Sequence, residues 1–464
     1  MGATEPITFM QACLVAIACI PGTAFLCLGS AWLLGSIPRE RTVATLTSVS
    51  CVASLLAATI LMISMMMNGT RSVAVGLGEW FAVGDYQFPL ILFVDRLSAP
   101  MVALTILLAG LVSAFSRRYM HRERGFIRFF LLLNLFMFGA VLVFASGSFD
   151  LLIAGWELVG ITSVLLISFF QDRPEPLRNA KRVFATYRGC DIGLLVGVFF
   201  LYHQQSSSAF SRLFTGEWPV QTTPLNGTTA TVAALLLLLA ACGKSAQVPF
   251  SGWLPRAMEG PTPSSAIFYG AISVHLGAYL LLRVQPILQQ SPVASAAVVI
   301  AGALSALHGT FAGRACSDVK TQLAYASVAQ LGLIFVEIGL GLPWLALLHI
   351  IGHALVRTLQ LLRAPSMLHE YHGMHAAAGG HLARTGDHYR TFLSSPVRAW
   401  LYRLALDRGH HDTVLDRFLV GPVKGLARFL GTLRLHSNVE TGRPTDPGTR
   451  LRREPGPLEE HIDG

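Results

Sequence analysis

Long apolar segments separated by short polar loops make up most of the chain. A helix needs about 20 predominantly apolar residues to cross the hydrocarbon core of a bilayer, and eleven segments before residue 363 are long enough. The pattern predicts an all-α fold, a polytopic membrane helix bundle. The predicted helices occupy approximately residues 10–36, 43–67, 91–116, 128–146, 150–170, 183–203, 229–249, 264–283, 293–312, 322–341 and 344–362.

The composition agrees with a membrane protein. Of the 464 residues, 53% are hydrophobic and only 13% are charged, and the mean hydropathy is +0.54. Soluble domains carry about 25% charged residues, so the composition excludes an ordinary soluble protein. Glu5 is the only charged residue before Thr8. Because a cleavable signal begins with a basic region, we expect the first segment to be a retained helix.

The cysteines point to no cofactor, and the distribution of the net charge points to a membrane protein that does not bind nucleic acid. The seven cysteines lie in or beside apolar segments, without a CxxC pair and without a Cys/His pair at metal-ligand spacing. We therefore predict no metal and no cofactor, and small buried cysteine side chains. The net charge of +9 comes from basic residues between the apolar segments, where it sets membrane orientation. Membrane lipids are therefore predicted to contact the chain, and no nucleic-acid partner is expected.

Basic residues are concentrated in alternate loops. The odd-numbered loops hold two, five, four, one and two Lys and Arg, fourteen in all, whereas the even-numbered loops hold Arg71, Arg212 and Arg283. Cytoplasmic loops carry the excess of Lys and Arg. The chain is therefore predicted to be a multi-pass protein of the cell (inner) membrane, with its N-terminus outside and its C-terminus in the cytoplasm.

Residues 363–464 differ in composition from the predicted transmembrane domain, residues 1–362. They hold 9 of the 15 histidines, and His369, His372 and His375 recur every third residue, with His381 beyond. We interpret this stretch as a solvated His-rich linker, with metal binding as an alternative. Residues 412–433 have the spacing of an amphipathic helix on the membrane surface or on a partner, and residues 437–464 are predicted to be disordered.

Ionisable residues inside predicted membrane helices are the first candidates for function, because burying a charge in lipid is costly. Glu157 lies in the fifth predicted helix. Arg188 and Asp191 are three residues apart on the sixth, where they share one face and are predicted to form a supporting ion pair.

Lys244 has the most unusual position of these residues. It follows fourteen uncharged residues of the seventh predicted helix, directly after Gly243 and five residues before Pro249. Proline ends or kinks a helix, and a broken membrane helix is tolerated where its backbone lines a cavity. We therefore predict a helix break at Lys244, with access to water.

Histidines provide further titratable positions. His349, His353 and Arg357 follow each other at intervals of four, which places them on one face of the eleventh predicted helix. His275 and His308 stand alone on apolar segments, and we expect them to be hydrogen-bonded interior histidines. A carboxylate, a lysine and histidines on successive helices are typical of a hydrated proton relay across a membrane.

Several of these motifs resemble one family. The segment Trp156-Glu157-Leu158-Val159-Gly160 matches the W-E-x-x-G of antiporter-like membrane subunits of respiratory complex I, and residues 243–266 are similar to its most characteristic block. Asp318-Val319-Lys320 and Gln330-Leu331-Gly332 continue the match, which covers about residues 85–365. The family includes subunit 5 of NADH–quinone oxidoreductase, the large Mrp antiporter subunits and the DabB subunit of inorganic-carbon uptake complexes.

The resemblance implies proton translocation without a redox centre in this chain. Glu157 and Lys244 would be the paired carboxylate and lysine of a first half-channel. Arg188 and Asp191 match the family's Arg and Asp on the sixth helix. The family also has a histidine pair at His349 and His353 and a cytoplasmic-side basic residue at Lys320.

Three departures from the family pattern bear on the mechanism. At the position of the family's usual histidine on the eighth helix, this sequence has Tyr269. His275 lies six residues later, on another face of the helix. Arg357 stands where the family commonly has Lys, and arginine does not deprotonate in proteins. Because the predicted membrane region stops after eleven helices, the second of the family's repeats is expected to be incomplete and to have no broken-helix lysine of its own. The long lateral helix that braces complex I subunits is expected to be absent as well.

We expect a proton-translocating membrane subunit that couples the proton gradient to the work of a partner. The favoured role is DabB-like, driving inorganic carbon (CO2/bicarbonate) uptake with a large cytoplasmic zinc-containing, DabA-like subunit. Three alternatives stay open: subunit 5 of an NADH–quinone oxidoreductase with other complex I-type subunits, a cation/proton antiporter subunit of Mrp type, and a non-conducting assembly scaffold.

Overall fold

Eleven helices in the described part of the chain are long and apolar enough to cross a membrane, as predicted. The structure, a computed structural model, describes residues 8–377 and 394–430, other than 37, 85, 317, 408, 410–412, 414, 415, 424 and 427. The long helices are α1 (Phe9–Leu33), α2 (Glu40–Met67), α3 (Ser98–Tyr119), α4 (Phe126–Phe144), α5 (Phe149–Ile167), α6 (Pro174–Gln205), α7 (Gly227–Lys244), α8 (Thr262–Arg283), α9 (Pro292–Ala315), α10 (Val319–Gly339) and α11 (Pro343–Ala377).

A β-hairpin precedes α3, where the sequence pattern predicts the start of a helix at residue 91. Strand β1 (Ser72–Val83) pairs antiparallel with β2 (Tyr86–Asp95). The prediction was wrong here because hydropathy alone does not separate a short apolar strand from the first turns of a helix. Residues 86–95 are rich in aromatic and aliphatic residues, which suit a strand.

A buried ion pair attaches this hairpin to the helix bundle. Asp95 at the end of β2 accepts two hydrogen bonds from Arg283, from Nη1 at 2.7 Å and from Nη2 at 3.0 Å. Arg283 is fully buried at the end of α8, so its assignment to an exposed loop was wrong. Burial alone would raise the pKa of Asp95, but the Arg283 guanidinium and the hydrogen bonds from Ser98 hold that pKa below its ordinary value.

Two consecutive membrane segments have irregular backbones. Helix α7 ends at Lys244, and residues 245–261 form short turns that include one helical turn, Trp253–Arg256. Within α8, the π-helical segment Ser265–Ala271 and the 3-10 turn Ser273–His275 precede a regular helix. Every residue in the apolar window of α8 is buried. This is consistent with the rule that irregular backbone inside a membrane is covered by protein.

The predicted domain boundary between residues 362 and 363 falls inside a continuous helix, because α11 extends to Ala377. The side chains of His369, His372 and His375, together with residue His381, lie outside the described residues, as does the segment 437–464 predicted to be disordered.

A further helix, α12 (Ser395–Leu406), follows and packs against α9. Part of the predicted amphipathic segment 412–433 is described. In it, Asp416–Val420 forms a π-helical turn, and Asp416 pairs with Arg182 of α6 at 2.8 Å.

We predict that the Asp95–Arg283 pair holds the hairpin on the bundle. Arg283→Met leaves a buried carboxylate without its partner, which is expected to cost about 3–5 kcal/mol of unfolding free energy. The exposed pair Arg71–Glu217 offers a matched control, and Arg71→Gln should cost at most about 1 kcal/mol. Thermal unfolding of the purified full chain at neutral pH measures both. Equal stability of the two variants would contradict this role.

The same pair predicts a pH dependence. Because the pKa of Asp95 is lower in the folded chain than in the unfolded chain, its contribution to stability is complete above the ordinary value of 3.8 and is lost as the pH falls through the lowered value. The stability difference between wild type and Asp95→Asn should therefore narrow in acid. A difference that does not change with pH would show that the carboxylate charge is not what stabilises the contact.

The corrected positions of two arginines leave the predicted topology unchanged. Arg283 is removed from the loops, but Arg96 lies between β2 and α3 instead, so the even-numbered loops still carry three basic residues. We predict that a reporter fused after Asp407 is cytoplasmic and one fused after Asn68 is external, as an enzymatic fusion assay would detect. Both reporters on one side would exclude eleven crossings.

Candidate functional site

Lys244 is buried at the end of α7, with its ammonium group between α5 and α6. Nζ donates a hydrogen bond of 3.0 Å to the backbone carbonyl oxygen of Trp156 on α5. The rings of Trp156 and Tyr187 lie 4.9 Å and 4.6 Å from Nζ, within the range of cation–π attraction. One carbonyl oxygen and two aromatic faces thus contact the buried charge.

Arg188 on α6 connects the two carboxylates beside Lys244. Its Nη2 lies 2.8 Å from Asp191 Oδ2, the ion pair that the spacing predicts, and it also contacts Glu157 Oε2 of α5. Asp191 Oδ1 accepts a hydrogen bond of 2.7 Å from Trp156 Nε1. The direct pair between Glu157 and Lys244 is not formed, because the Glu157 carboxylate binds Arg188. Among the described carboxylates, none lies within 4.0 Å of Lys244 Nζ.

The glycine of the W-E-x-x-G motif leaves space for these cations. Gly160 lies one helical turn after Trp156 and therefore on the same face of α5. A Cβ at Gly160 would lie 3.1 Å from Lys244 Nζ and 3.6 Å from Arg188 Nη2. The motif therefore combines a carbonyl that binds Lys244, a carboxylate that binds Arg188 and a position without a side chain.

The helix break at Lys244 is stabilised from outside α7. Trp253 Nε1 donates a hydrogen bond of 2.8 Å to the carbonyl oxygen of Gly243, which a continuing helix would have used. Any Cβ at Gly243 would overlap the side chain of Cys190 on α6. Pro249 follows in the irregular segment and has no N–H to donate.

His275 on α8 and His353 on α11 are both buried and contact each other, with 2.9 Å between Nε2 of His275 and Nδ1 of His353. Nδ1 of His275 donates to the carbonyl oxygen of Ala271, because a carbonyl oxygen only accepts. When both rings are neutral, Nε2 of His275 accepts from His353. Nε2 of His353 then remains an acceptor, and no described group donates to it.

His349 lies one turn before His353 and belongs to a second polar group. Its Nδ1 lies 2.8 Å from Glu337 Oε1, and its Nε2 lies 2.9 Å from Gln330 Oε1. A carboxylate oxygen only accepts hydrogen bonds, so Nδ1 of His349 donates to Glu337, and the side-chain amide of Gln330 contacts the other ring nitrogen.

The lysine and histidine clusters are joined through the two irregular segments. Ser245, which directly follows Lys244, donates a hydrogen bond of 2.6 Å to the carbonyl oxygen of Val274. Val274 directly precedes His275. The break after α7 and the 3-10 turn in α8 therefore place Lys244 and His275 on adjoining pieces of backbone.

Four other predicted residues are buried or half-buried. Arg357, one turn beyond His353, is 7% exposed, and within the described residues it has no hydrogen-bond partner. The hydroxyl of Tyr269 donates to the carbonyl oxygen of Ser163 on α5, at 3.2 Å. Lys320 is half-buried in the first turn of α10, and no hydrogen bond joins it to the described residues of either cluster. His308 is half-buried on α9.

Comparison with known proteins identifies the family. Residues 146–386, more than half of the chain, match the family described as "NADH:quinone oxidoreductase/Mrp antiporter, TM". Residues 80–130 match "NADH-Ubiquinone oxidoreductase (complex I), chain 5 N-terminus". The chain belongs to this antiporter-like family of membrane subunits. The predicted resemblance is confirmed at this level, whereas none of the relatives reported below is a DabB subunit.

Individual relatives cover the same region. The chain is 36% identical over 295 residues to NADH-quinone oxidoreductase subunit L of Mycobacterium tuberculosis, which covers 63% of this chain and 46% of that protein. It is 33% identical over 297 residues to NAD(P)H-quinone oxidoreductase chain 5 of Synechocystis sp., covering 64% of this chain and 44% of that protein. The chain thus spans less than half the length of these curated relatives.

A solved structure supports the same fold. A chain in the structure of the Mrp complex from Dietzia sp. DQ12-45-1b aligns with a TM-score of 0.63 and 25% sequence identity. The alignment covers 76% of this chain and 37% of that chain.

Sequence reasoning missed Glu337, although a usable signal was present. Glu337 lies inside the tenth predicted helix, so the criterion that selected Glu157 selects it as well. Its pairing with His349 needed the fold, because the two residues lie on different helices. Asp95 met the same criterion, because the predicted third helix wrongly included it, and it was missed as well.

We predict that Gly160→Ala disturbs the Lys244 cluster. The added Cβ would crowd Lys244 and Arg188, and overpacking of this kind costs about 1–3 kcal/mol. Gly352 on α11 offers a control, because a Cβ there meets nothing within 4 Å. Thermal unfolding of purified protein should show a loss for Gly160→Ala and no loss for Gly352→Ala. Equal behaviour of the two variants would contradict the packing argument.

Proposed function

We propose that the chain is a proton-conducting subunit of an inner-membrane complex of the complex I or Mrp type, in which it works beside other membrane subunits. The observation that carries the proposal is a fully buried lysine at a helix break, adjoining both a carboxylate–arginine network and a buried histidine pair. The names of the relatives support membership of a multi-subunit complex.

Lys244 is proposed to take up and release the proton. Arg188 is proposed to control the protonation of Lys244 electrostatically. Its own positive charge is compensated by Glu157 and Asp191. A proton that arrives on Glu157 neutralises one of these carboxylates, so that the positive charge of Arg188 is less compensated. A less compensated positive charge beside Lys244 favours loss of the Lys244 proton. Glu157 and Lys244 are thereby coupled through Arg188 rather than by direct contact.

The proton leaving Lys244 is proposed to reach His275 through water between the two irregular segments, which the hydrogen bond from Ser245 to the carbonyl oxygen of Val274 holds together. Each ring of the pair His275–His353 has one nitrogen that donates and one that accepts, so a proton that enters at one ring can leave from the other. His353 and His349 are one turn apart on α11, and Glu337 is the proposed carboxylate at the far end. Arg357 holds a fixed positive charge and takes no part in the transfer itself.

Among the alternatives, a respiratory or antiporter complex is favoured over inorganic-carbon uptake. The relatives reported above are named as subunits of quinone oxidoreductases and of an Mrp complex. None of the relatives reported above is named for carbon uptake or for a zinc-containing partner. The proposed partners are therefore other complex I-type or Mrp-type membrane subunits.

The proposed arrangement in the membrane follows the charge distribution. Residues 1–362 form the proton-conducting domain, with the N-terminus outside, and residues 363–464 lie on the cytoplasmic side. The contact between Arg182 and Asp416 supports this side for part of the tail, because Arg182 lies in the first half of α6, which follows a loop that the positive-inside rule assigns to the cytoplasm.

We predict that Lys244→Ala and Glu157→Gln each abolish gradient-dependent activity, while the chain still inserts and binds its partners. Because the two residues act through one network, the double variant should be little worse than either single variant. Lys181→Ala, at an exposed position on α6, is a matched control and should keep activity. The readout is complementation or proton transport in native membranes, with membrane abundance and complex assembly measured in parallel.

Full activity of Lys244→Ala at normal abundance would contradict the proposed relay. A scaffold role would then account better for the chain. Loss of activity together with loss of assembly would instead indicate a structural role for Lys244.

A further inference from the structure

A groove of about 860 Å³ opens between α2 and α3, at the end of the bundle where α3 terminates. Apolar, aromatic and basic side chains contribute to its surface together. The groove is lined by Ser48, Ala114, Phe115, Arg117, Arg118 and Tyr119. A molecule bound in the groove would therefore contact cations at one end and apolar groups along its side.

Within the described residues, the arginines at this end of α3 have no anionic partner. In the described residues, no carboxylate oxygen lies within 4.0 Å of the guanidinium group of Arg117 or Arg118. The nearby carboxylate of Glu40 is already occupied, since Oε2 contacts His121 Nδ1 at 2.7 Å and Oε1 accepts from the backbone N–H of Arg122 at 3.1 Å. The groove is thus electrostatically complementary to an anion.

An apolar stripe continues from the arginines along α3. Leu107, Leu111 and Ala114 follow one another toward Arg118 at intervals of four, three and four residues, so they share one face of the helix. Leu107 and Leu111 are 39% and 51% exposed. From Leu107 to Arg118 the helix rises about 16 Å, which is close to half of the roughly 30 Å hydrocarbon core. The distance from the charged end to the far end of the stripe therefore matches one leaflet.

Two aromatic rings mark the boundary between the stripe and the cations. The rings of Phe115 and Tyr119 stack with centroids 5.5 Å apart. Aromatic side chains are enriched at the level of lipid headgroups. The order along α3 is therefore that of a phospholipid: apolar contacts, an interfacial aromatic pair and then positive charge.

We propose that this groove binds an anionic phospholipid of the adjacent leaflet. Its phosphate lies between Arg117 and Arg118, and an acyl chain follows Leu111 and Leu107 into the membrane. An acidic segment of a partner protein would match the arginines, but it would leave the exposed apolar stripe unexplained. The proposal is independent of proton conduction.

The test measures lipid binding by native mass spectrometry of the detergent-solubilised full chain. Phosphatidylglycerol and phosphatidylcholine with identical acyl chains serve as probes. The wild type should bind the anionic lipid more tightly, and Arg117→Gln/Arg118→Gln should remove this preference. Each arginine near an anionic lipid contributes about fivefold in affinity, so the pair should account for roughly 25-fold. Arg96→Gln/Arg212→Gln changes the charge equally at the opposite end of the bundle and should retain the preference.

A second variant separates a lipid from an acidic protein. Leu111→Trp fills the stripe without changing charge, and it should weaken phosphatidylglycerol binding while the arginines stay in place. Equal binding by wild type and the double arginine variant would overturn the proposal. The proposal would also fail if Leu111→Trp left lipid binding unchanged while the double arginine variant lost a co-purifying acidic protein.

Discussion

The structure depends most on how a positive charge is accommodated at the end of α7. Lys244 is buried where water is scarce, and an uncompensated charge there would be very costly. The carbonyl oxygen of Trp156 and two aromatic faces contact it directly, while Arg188, Glu157 and Asp191 surround it at one remove. Gly160 provides the space in which these cations meet. The charge is thus held without a direct ion pair, which leaves it responsive to changes in its neighbours.

Two interruptions of regular helix make a continuous polar region possible. The end of α7 frees the carbonyl oxygen of Gly243, which Trp253 engages. Ser245 donates to the carbonyl oxygen of Val274 in the 3-10 turn of α8, and this turn carries His275 toward α11. Both interruptions are covered by other helices, as the absence of water in lipid requires. The proposed relay therefore passes through the least regular parts of an otherwise helical bundle.

Hydropathy predicted the eleven membrane helices because lipid imposes a length and a composition on every crossing. It failed at residues 91–97, since a buried strand and a helix start look alike in that measure. The motif residues were also predictable, but the absence of a direct Glu157–Lys244 pair was not, because only the packing of α5 against α6 shows that the Glu157 carboxylate binds Arg188. Similarly, Tyr269 faces α5 and His275 faces α11, and the irregular backbone of α8 hides this division from any periodic pattern.

The central claim is that protons pass from the lysine cluster to the histidine cluster through His275. The most direct measurement is proton uptake into proteoliposomes that contain the purified complex, comparing His275→Leu with His308→Leu. His308 is a histidine on a neighbouring membrane helix that the proposed path does not use. If the proposed path is right, His275→Leu abolishes uptake and His308→Leu retains it. Unchanged uptake in the His275 variant, with the complex intact, would contradict it.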